Sequence, residues 1–371
     1  MAFELLDAQP QGAVIKVVGV GGCGGNAIDH MIEQGVQGVE FITINTDAQA
    51  LKRSKARVQL QIGATLTKGL GAGARPQIGQ AAAEEDRERI AEIIAGANMV
   101  FITAGMGGGT GTGAGPIIAE AARDSGALTV AVVTKPFTFE GLQRMRIAEE
   151  GLNNLRDKVD TLITIPNDKL LSVVDDKVSL IDAFSVVDDV LRQAVQGISD
   201  LVVTPGIVNV DFADVKAIME NTGSALMGIG RATGDDRAIE AAKAAINSSL
   251  LEISIDGAKG VLFNVSGGQD LTMSEINEAA KIIVESIDPE AKVIFGAVVD
   301  DKLKKGKIKI TVIATGFDEV MKRMGEPKIQ DISPINQAEE KARKRVEFKT
   351  KEPEKTENEW DIPAFIRRKM Q

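Results

Sequence analysis

Two glycine-rich stretches hold the residues whose types and spacing could do chemistry. Gly19-Val20-Gly21-Gly22-Cys23-Gly24 has the spacing GxGxxG, follows an apolar run and opens a helical pattern. Glycines there let the backbone approach a phosphate, and the N–H groups at a helix start supply donors and positive potential. The same spacing also suits a tight strand-to-helix turn. Asp47 lies about twenty residues on, where a dinucleotide enzyme places its ribose acceptor. Gly107-Gly108-Gly109-Thr110-Gly111-Thr112-Gly113 is more specific. It offers a row of backbone N–H groups and two hydroxyls, a nest suited to a triphosphate. No GxxxxGK[ST] occurs, which excludes a P-loop NTPase. Two such loops exceed what one dinucleotide crevice needs.

Other reactive side chains are few. Asp211 and Asp214 stand at the start of a helical pattern; alone they read as an N-cap and a first-turn acid favoured by the helix dipole. A single Cys23 excludes an intrachain disulfide and a cysteine-cluster metal site. With His30 the one histidine, zinc has almost no ligands, and no metal site is assigned.

The elements that must position these residues alternate. Strands are expected at Ala13–Gly19, Glu40–Asn45, Met99–Thr103, Leu128–Thr134 and Thr161–Ile165. Helices are expected at Asn26–Gln34, Glu84–Ala95, Gly115–Asp124 and Glu140–Leu155. That alternation implies a parallel sheet covered on both faces. The uncharged run Ile93–Ala119 is long enough to span a bilayer, but eight glycines, Asn98 and Pro116 make it strand, loop and helix instead. Leu180, Phe184, Val187, Leu191, Val195, Ile198 and Val202 follow at threes and fours, one long helix serving as a spine. Beyond it, helices at Asp211–Asn221, Asp235–Asn247 and Ser274–Ser286 mix with strands at Val261–Val265, Val293–Val299 and Ile308–Ala314, a smaller α/β domain.

The 371-residue chain is 44% hydrophobic and 26% charged, which excludes a fully disordered chain. Aromatics reach only 4%, without tyrosine, which argues against a platform of many stacked aromatics for single-stranded nucleic acid. A net charge of −10 argues against nucleic-acid or anionic-membrane binding by bulk charge. No basic segment precedes an apolar run near Met1, so no signal peptide is read and a cytoplasmic protein is expected. After Phe317 the pattern breaks: 13 Lys/Arg and 12 Asp/Glu crowd residues 318–371. Such composition suits a disordered linker. Apolar character returns at Trp360–Gln371, where Pro363 lies between Ile362 and Phe365, and this island is either a recognition peptide or a frayed end.

The second loop, GGGTGTG, resembles the signature of the tubulin/FtsZ family, and the resemblance extends along the chain. Asn45-Thr46-Asp47-Ala48-Gln49-Ala50-Leu51, Lys68-Gly69-Leu70-Gly71-Ala72-Gly73-Ala74, Phe139-Glu140-Gly141, Ile165-Pro166-Asn167-Asp168-Lys169-Leu170 and Asn209-Val210-Asp211-Phe212-Ala213-Asp214 all resemble bacterial FtsZ proteins. So does Asp361-Ile362-Pro363-Ala364-Phe365-Ile366-Arg367-Arg368. The resemblance implies a tubulin-like α/β fold. Its parts would be a GTP-binding domain (12–178), a central helix (179–203), a C-terminal α/β domain (204–317), a flexible linker (318–358) and a partner-binding peptide (359–371).

Roles carry over by position. Gly22, Cys23, Gly24, Gly25 and Asn26 would bracket the α- and β-phosphates of GTP, Cys23 through its backbone N–H, and Gly109, Thr110 and Gly111 would hold the β/γ region. Glu140 would accept from the ribose hydroxyls and Arg144 would bring a cation toward the phosphates. Asn167 and Asp188 would contact guanine, with Phe184 stacked on it or packed in the core. Mg2+ is expected with the nucleotide. Asn209, Asp211 and Asp214 of one copy would enter the next copy's pocket and position the attacking water. The implied protein is a GTPase forming head-to-tail filaments of the division ring at mid-cell. It would contact the membrane only indirectly, through residues 359–371 and tethers such as FtsA. Cys23, where the family has a smaller residue, and Asp175-Asp176-Lys177 depart from the pattern. The competing readings are a Rossmann-type NAD-dependent oxidoreductase, resting on GxGxxG and Asp47, and a non-catalytic GTP-binder.

Overall fold

The computed structural model describes residues 12–171, 179–203, 210–248, 255–299, 303 and 305–317. All of these fall within one compact unit, Met1–Arg323. The expected linker and tail from 318 onward, Asn209 and Asp175–Lys177 lie outside the described residues.

One mixed sheet of ten strands runs through the unit: β1 (Ile15–Val20), β2 (Glu40–Asn45), β3 (Val58–Gln61), β4 (Met99–Gly105), β5 (Leu128–Lys135), β6 (Thr161–Pro166), β7 (Gly223–Thr233), β8 (Gly260–Gly267), β9 (Lys292–Val299) and β10 (Lys307–Thr315). Their spatial order is β3-β2-β1-β4-β5-β6-β7-β10-β8-β9. Among the described residues β10 alone runs against its neighbours, antiparallel to β7 and β8. Between the halves β6 and β7 pair in parallel over three residues, Thr161 with Gly223 to Ile163 with Ala225.

The alternation of side chains along a strand sorts the core into two layers. Ile15 and Val17 of β1 join Phe101, Val130 and Val132 on one face, and the helix Leu180–Val203 lies over them with Leu191, Ala194, Val195 and Ile198 fully buried. Leu262 of β8 and Ile313 of β10 belong to the same cluster, so this central helix packs across both halves. Val18, Val20, Ile102 and Val133 face the other way, under the helix Thr110–Asp124. A third cluster, around Phe263, Ile276 and Ile310, fills the C-terminal half.

Several elements differ from the sequence expectation for tertiary reasons. Helices begin at Gly21 and Thr110, inside the glycine runs rather than after them. Glycine is poor in a helix interior but lets backbones meet: a Cβ on Gly24 would lie 2.3 Å from the Thr103 carbonyl oxygen, and one on Gly113 2.0 Å from that of Pro76. The expected Glu84–Ala95 helix is two, Pro76–Glu85 and Arg87–Ile94, meeting at Asp86. Strand β7 escapes the apolar pattern because the helix Arg237–Ile246 presses on it; a Cβ on Gly230 would sit 1.9 Å from the Ala241 carbonyl oxygen.

Candidate functional site: a nucleotide cradle at one edge of the sheet

Parallel β1, β4, β5 and β6 all end at the same edge, and each is followed by a segment singled out by its sequence. Brief connections there expose backbone donors at helix starts, the place where open α/β sheets bind ligands. After β1, Gly21 takes a left-handed φ of +72°, which glycine alone adopts readily, and turns the chain into the helix Gly21–Glu33. Gly22 faces open space, whereas Gly24 is closed against β4. Gly22, Gly25 and Asn26 line a cavity of about 360 Å3 with Thr43, Asn45 and Arg53. The open side of the first loop is therefore Gly22, Gly25 and Asn26, and Gly24 serves the packing of helix on strand.

After β4, Gly108 stays open while Gly109 and Gly111 are pressed against neighbouring backbone. The two hydroxyls part company. Thr110 shares a 2.7 Å hydrogen bond with the Thr46 hydroxyl, and Thr112 is turned inward to accept the Gly107 N–H at 2.9 Å. Thr112, 3% exposed, thus shapes the loop from within and is withdrawn from a ligand by its burial, a correction to the two-hydroxyl nest.

Cys23 marks where the remaining groups converge. Its sulfur lies where a side chain on Gly105 would be. Removal from water pushes the thiol up to about 12; Asp188 and Glu140 add to the rise, and a hydrogen bond with Thr134 and the charge of Arg144 oppose it. The thiol stays protonated at neutral pH and has no nucleophilic character. Arg144 reaches 2.9 Å from Glu140 and lays its stem against Gly107. Glu140 also accepts the Phe137 N–H at 2.9 Å. Asp188, on the central helix, is raised to about 7 by desolvation. Phe184, one turn earlier, is 41% exposed and meets the buried Phe137 edge-on at 5.4 Å. It is a rim residue, not a core one. Asn167, following β6, is 4% exposed, and its Oδ1 is buried without a hydrogen-bond partner. A buried amide oxygen with no partner costs about 1–3 kcal/mol, and a ligand donor would offset that.

Asp47 is committed elsewhere. Its carboxylate accepts the N–H groups of Gln49 and Ala50 at 2.8 and 3.2 Å, capping the helix Ala48–Arg53. The ribose acceptor on which the NAD reading rests is an N-cap, and that reading falls. His30, the one histidine, is half-buried with Nε2 3.7 Å from Asp189 of the central helix.

Asp211 and Asp214 do not join the cradle. Asp211 caps the helix Phe212–Met219, accepting the Asp214 N–H at 3.0 Å, and both residues are exposed. That helix ends beside Asp160 at the start of β6, a strand length of roughly 20 Å from Asn167 at its other end. No helix among the described residues is long and apolar enough to cross a membrane.

Residues 14–175 match the tubulin/FtsZ family GTPase domain and residues 223–318 the FtsZ family C-terminal domain. The structure superposes on an empty FtsZ dimer from M. jannaschii with a TM-score of 0.81 at 47% identity, covering 84% of this chain and 90% of that one. A point mutant of FtsZ from the same organism gives 0.80 at 47% identity, covering 83% and 92%. A GTPgS-bound protofilament of CetZ2 from Haloferax volcanii shares the fold, with a TM-score of 0.70 at 19% identity over 90% of this chain and 99% of that one. Fold and cradle together define a GTP-binding α/β protein of tubulin-like architecture. The chain belongs to the tubulin/FtsZ family and is a GTPase.

Proposed function

We propose that this protein is a GTP-driven filament former in which the site of one copy is completed by the Asn209–Asp214 segment of the next. The observation that carries the reading is the separation of parts within one sheet. The cradle edge holds Asn167 with its stranded acceptor, Asp188 and the glycine loops, but of its acids Glu140 is tied to Arg144 and Phe137, and Asp188 is assigned here to reading the base. Two exposed acids, Asp211 and Asp214, stand at the end of a helix anchored to the opposite edge. Identical head-to-tail contacts that do not close into a ring give open filaments. The dimer and protofilament described for similar proteins support self-association of this one.

Within that arrangement Gly22, Cys23, Gly25 and Asn26 contact the α- and β-phosphates through backbone N–H groups. Gly109, Thr110 and Gly111 hold the β/γ end, with Gly24 supporting the first loop from behind. Arg144 adds positive charge near the phosphates, Glu140 receives the ribose hydroxyls, and Phe184 covers the base. The Asp188 carboxylate accepts from guanine N1–H and its amine, and adenine presents an acceptor at N1 instead. Among the described residues no group of three metal-ligating side chains gathers. Mg2+ would arrive on phosphate oxygens with its own waters. Hydrolysis is mainly placement of water and stabilisation of charge, which the neighbour's Asp211 and Asp214 supply.

Specific GTPase activity should rise steeply with protein concentration across the assembly threshold; a flat profile would refute the shared site. Asp214→Ala should bind GTP normally as a monomer and stall the neighbour it caps, losing on the order of 10²-fold in turnover or more.

Placement at the cytoplasmic division ring at mid-cell belongs to the same proposal, with FtsA or a similar tether binding residues 359–371. The peptide's apolar side chains, Ile362 and Phe365 among them, are too few to hold a bilayer, so membrane contact is indirect. Deleting 359–371 should leave GTPase activity within twofold and abolish binding to the tether, measured by co-sedimentation; loss of assembly in the purified truncated protein would break this division of labour.

A further inference from the structure

Two elements that begin or end in the cradle have their far ends at one place. The helix Thr110–Asp124 starts in the second glycine loop, and Arg123 in its last turn donates from Nη2 to Asn221 Oδ1 at 2.8 Å. Strand β6 leads to Asn167, and Thr161 at its start donates from Oγ1 to the Met219 carbonyl at 2.5 Å. Met219 and Asn221 are the last residue and the exit turn of the helix Phe212–Met219, whose first turn holds Asp211 and Asp214.

The join is dense. Asp160, itself buried, accepts the Asn221 N–H on Oδ1 at 3.4 Å and the Thr129 N–H of β5 on Oδ2 at 2.8 Å. Its carbonyl accepts the N–H groups of Thr222 and Gly223 at 2.9 and 3.0 Å. The Thr222 hydroxyl supplies a second donor to the Met219 carbonyl at 3.2 Å, and Asn221 takes a left-handed φ of 52° to make the turn. A helix end leaves its last carbonyls without intrahelical partners. Here the Met219 carbonyl takes one such partner, Thr161, from the nucleotide half, and Thr315 of β10 adds another at the Ile218 carbonyl, 3.1 Å. The helix, 15 residues long with Pro116 inside it, spans about 22 Å and β6 about 20 Å, and each runs from the cradle to the join.

We infer that Arg123, Asp160, Thr161 and Asn221 form a clasp that aims the helix Phe212–Met219 from its own subunit's nucleotide cradle, so that the acids a copy offers its neighbour are set by the cradle behind them. The inference rests on the shared-site reading above and adds the positioning residues to it. None of the four touches nucleotide; they act through the helix.

The test uses the full chain with Thr161→Val, Thr161→Ser, Arg123→Ala and Asp214→Ala. GTP affinity is measured well below the assembly threshold, filament mass by sedimentation, and turnover per assembled subunit above it. Thr161→Val and Arg123→Ala should keep wild-type GTP affinity and filament mass and lose about tenfold in turnover, equal to about 1.4 kcal/mol of barrier. Thr161→Ser, which keeps the hydroxyl, should restore it, a rescue that general loosening of the fold would not produce. Mixed with wild-type subunits, the two weakened variants should depress turnover in proportion to the pockets they cap. Arg123 is partly exposed, so Arg123→Ala decides the matter if Thr161→Val does not fold. Wild-type turnover in both, with Asp214→Ala stalling its neighbours, overturns the clasp and spares the shared site. Loss of GTP affinity in Arg123→Ala also overturns it. Wild-type turnover in Asp214→Ala overturns both.

Discussion

At the edge where β1, β4, β5 and β6 end, polar groups are buried and short of partners; at the edge where β6 and β7 begin, they are buried and satisfied. Asn167 Oδ1 and Thr103 Oγ1 have no hydrogen-bond partner, and the Asp188 carboxyl is raised to about 7 by lost solvation. Asp160, at the other edge, uses both carboxylate oxygens and its carbonyl. The same chemical type thus does two jobs. At Asn167 the unmet demand stands where a ligand donor can satisfy it and strengthen its own binding, because a stranded buried group is costly until paired. Met demand is kept where geometry has to hold, because a fully paired network admits one arrangement.

Truncation at each edge separates the two jobs. Asp160→Ala would strand two backbone donors at once, those of Thr129 and Asn221, and should cost about 3 kcal/mol in denaturant unfolding, with GTP affinity of the folded monomer little changed. A loss of affinity as large as the loss of stability would break the comparison. Asp188→Asn should do the reverse. It removes the carboxylate that receives two donors from guanine and should weaken GTP by about 1.5–3 kcal/mol, narrowing the margin over ATP. The same variant should be at least as stable as wild type at pH 8 without nucleotide, since it no longer holds an ionised carboxylate away from water. Equal GTP binding in titration calorimetry would assign base reading to another residue.

The smallest effect is the most diagnostic of the desolvated acid. Folding raises the Asp188 carboxyl from its ordinary 3.8 to about 7. Between those values the native apo protein holds a proton that the unfolded chain has released. The contribution to stability is full below about 4 and fades as pH rises through 7. Guanine donors favour the carboxylate, so GTP binding below pH 7 must expel the proton. Affinity should therefore weaken by up to about tenfold per pH unit below 7 and level off above it. Calorimetry at pH 6 in buffers of different ionisation enthalpy should register nearly one proton released per GTP in wild type and none in Asp188→Asn.

The strand-and-helix alternation, both glycine loops and the central helix are legible in residue order because each rests on contacts within a few positions: apolar periodicity, turn glycines, the N-cap at Asp211. Even Asp47 is readable as a cap, an acid directly before the helix Ala48–Arg53. The resemblance of motifs named the chemistry beyond that. What residue order leaves open is settled by segments far apart in the chain. Whether Thr112 serves a phosphate or the Gly107 N–H depends on the inward turn of one hydroxyl. That Gly24 and Gly113 admit helices into contact with other backbone depends on those partners being there. Asn167 becomes a stranded acceptor and Asp188 a weak acid only when packing removes water from both. The joining of two halves into one sheet, with β10 alone reversed among the described strands, required β7 to lie beside β6, a pairing of Thr161 with Gly223 that no local pattern encodes. Desolvation and long-range pairing are properties of neighbours in space, so tertiary structure alone decided them.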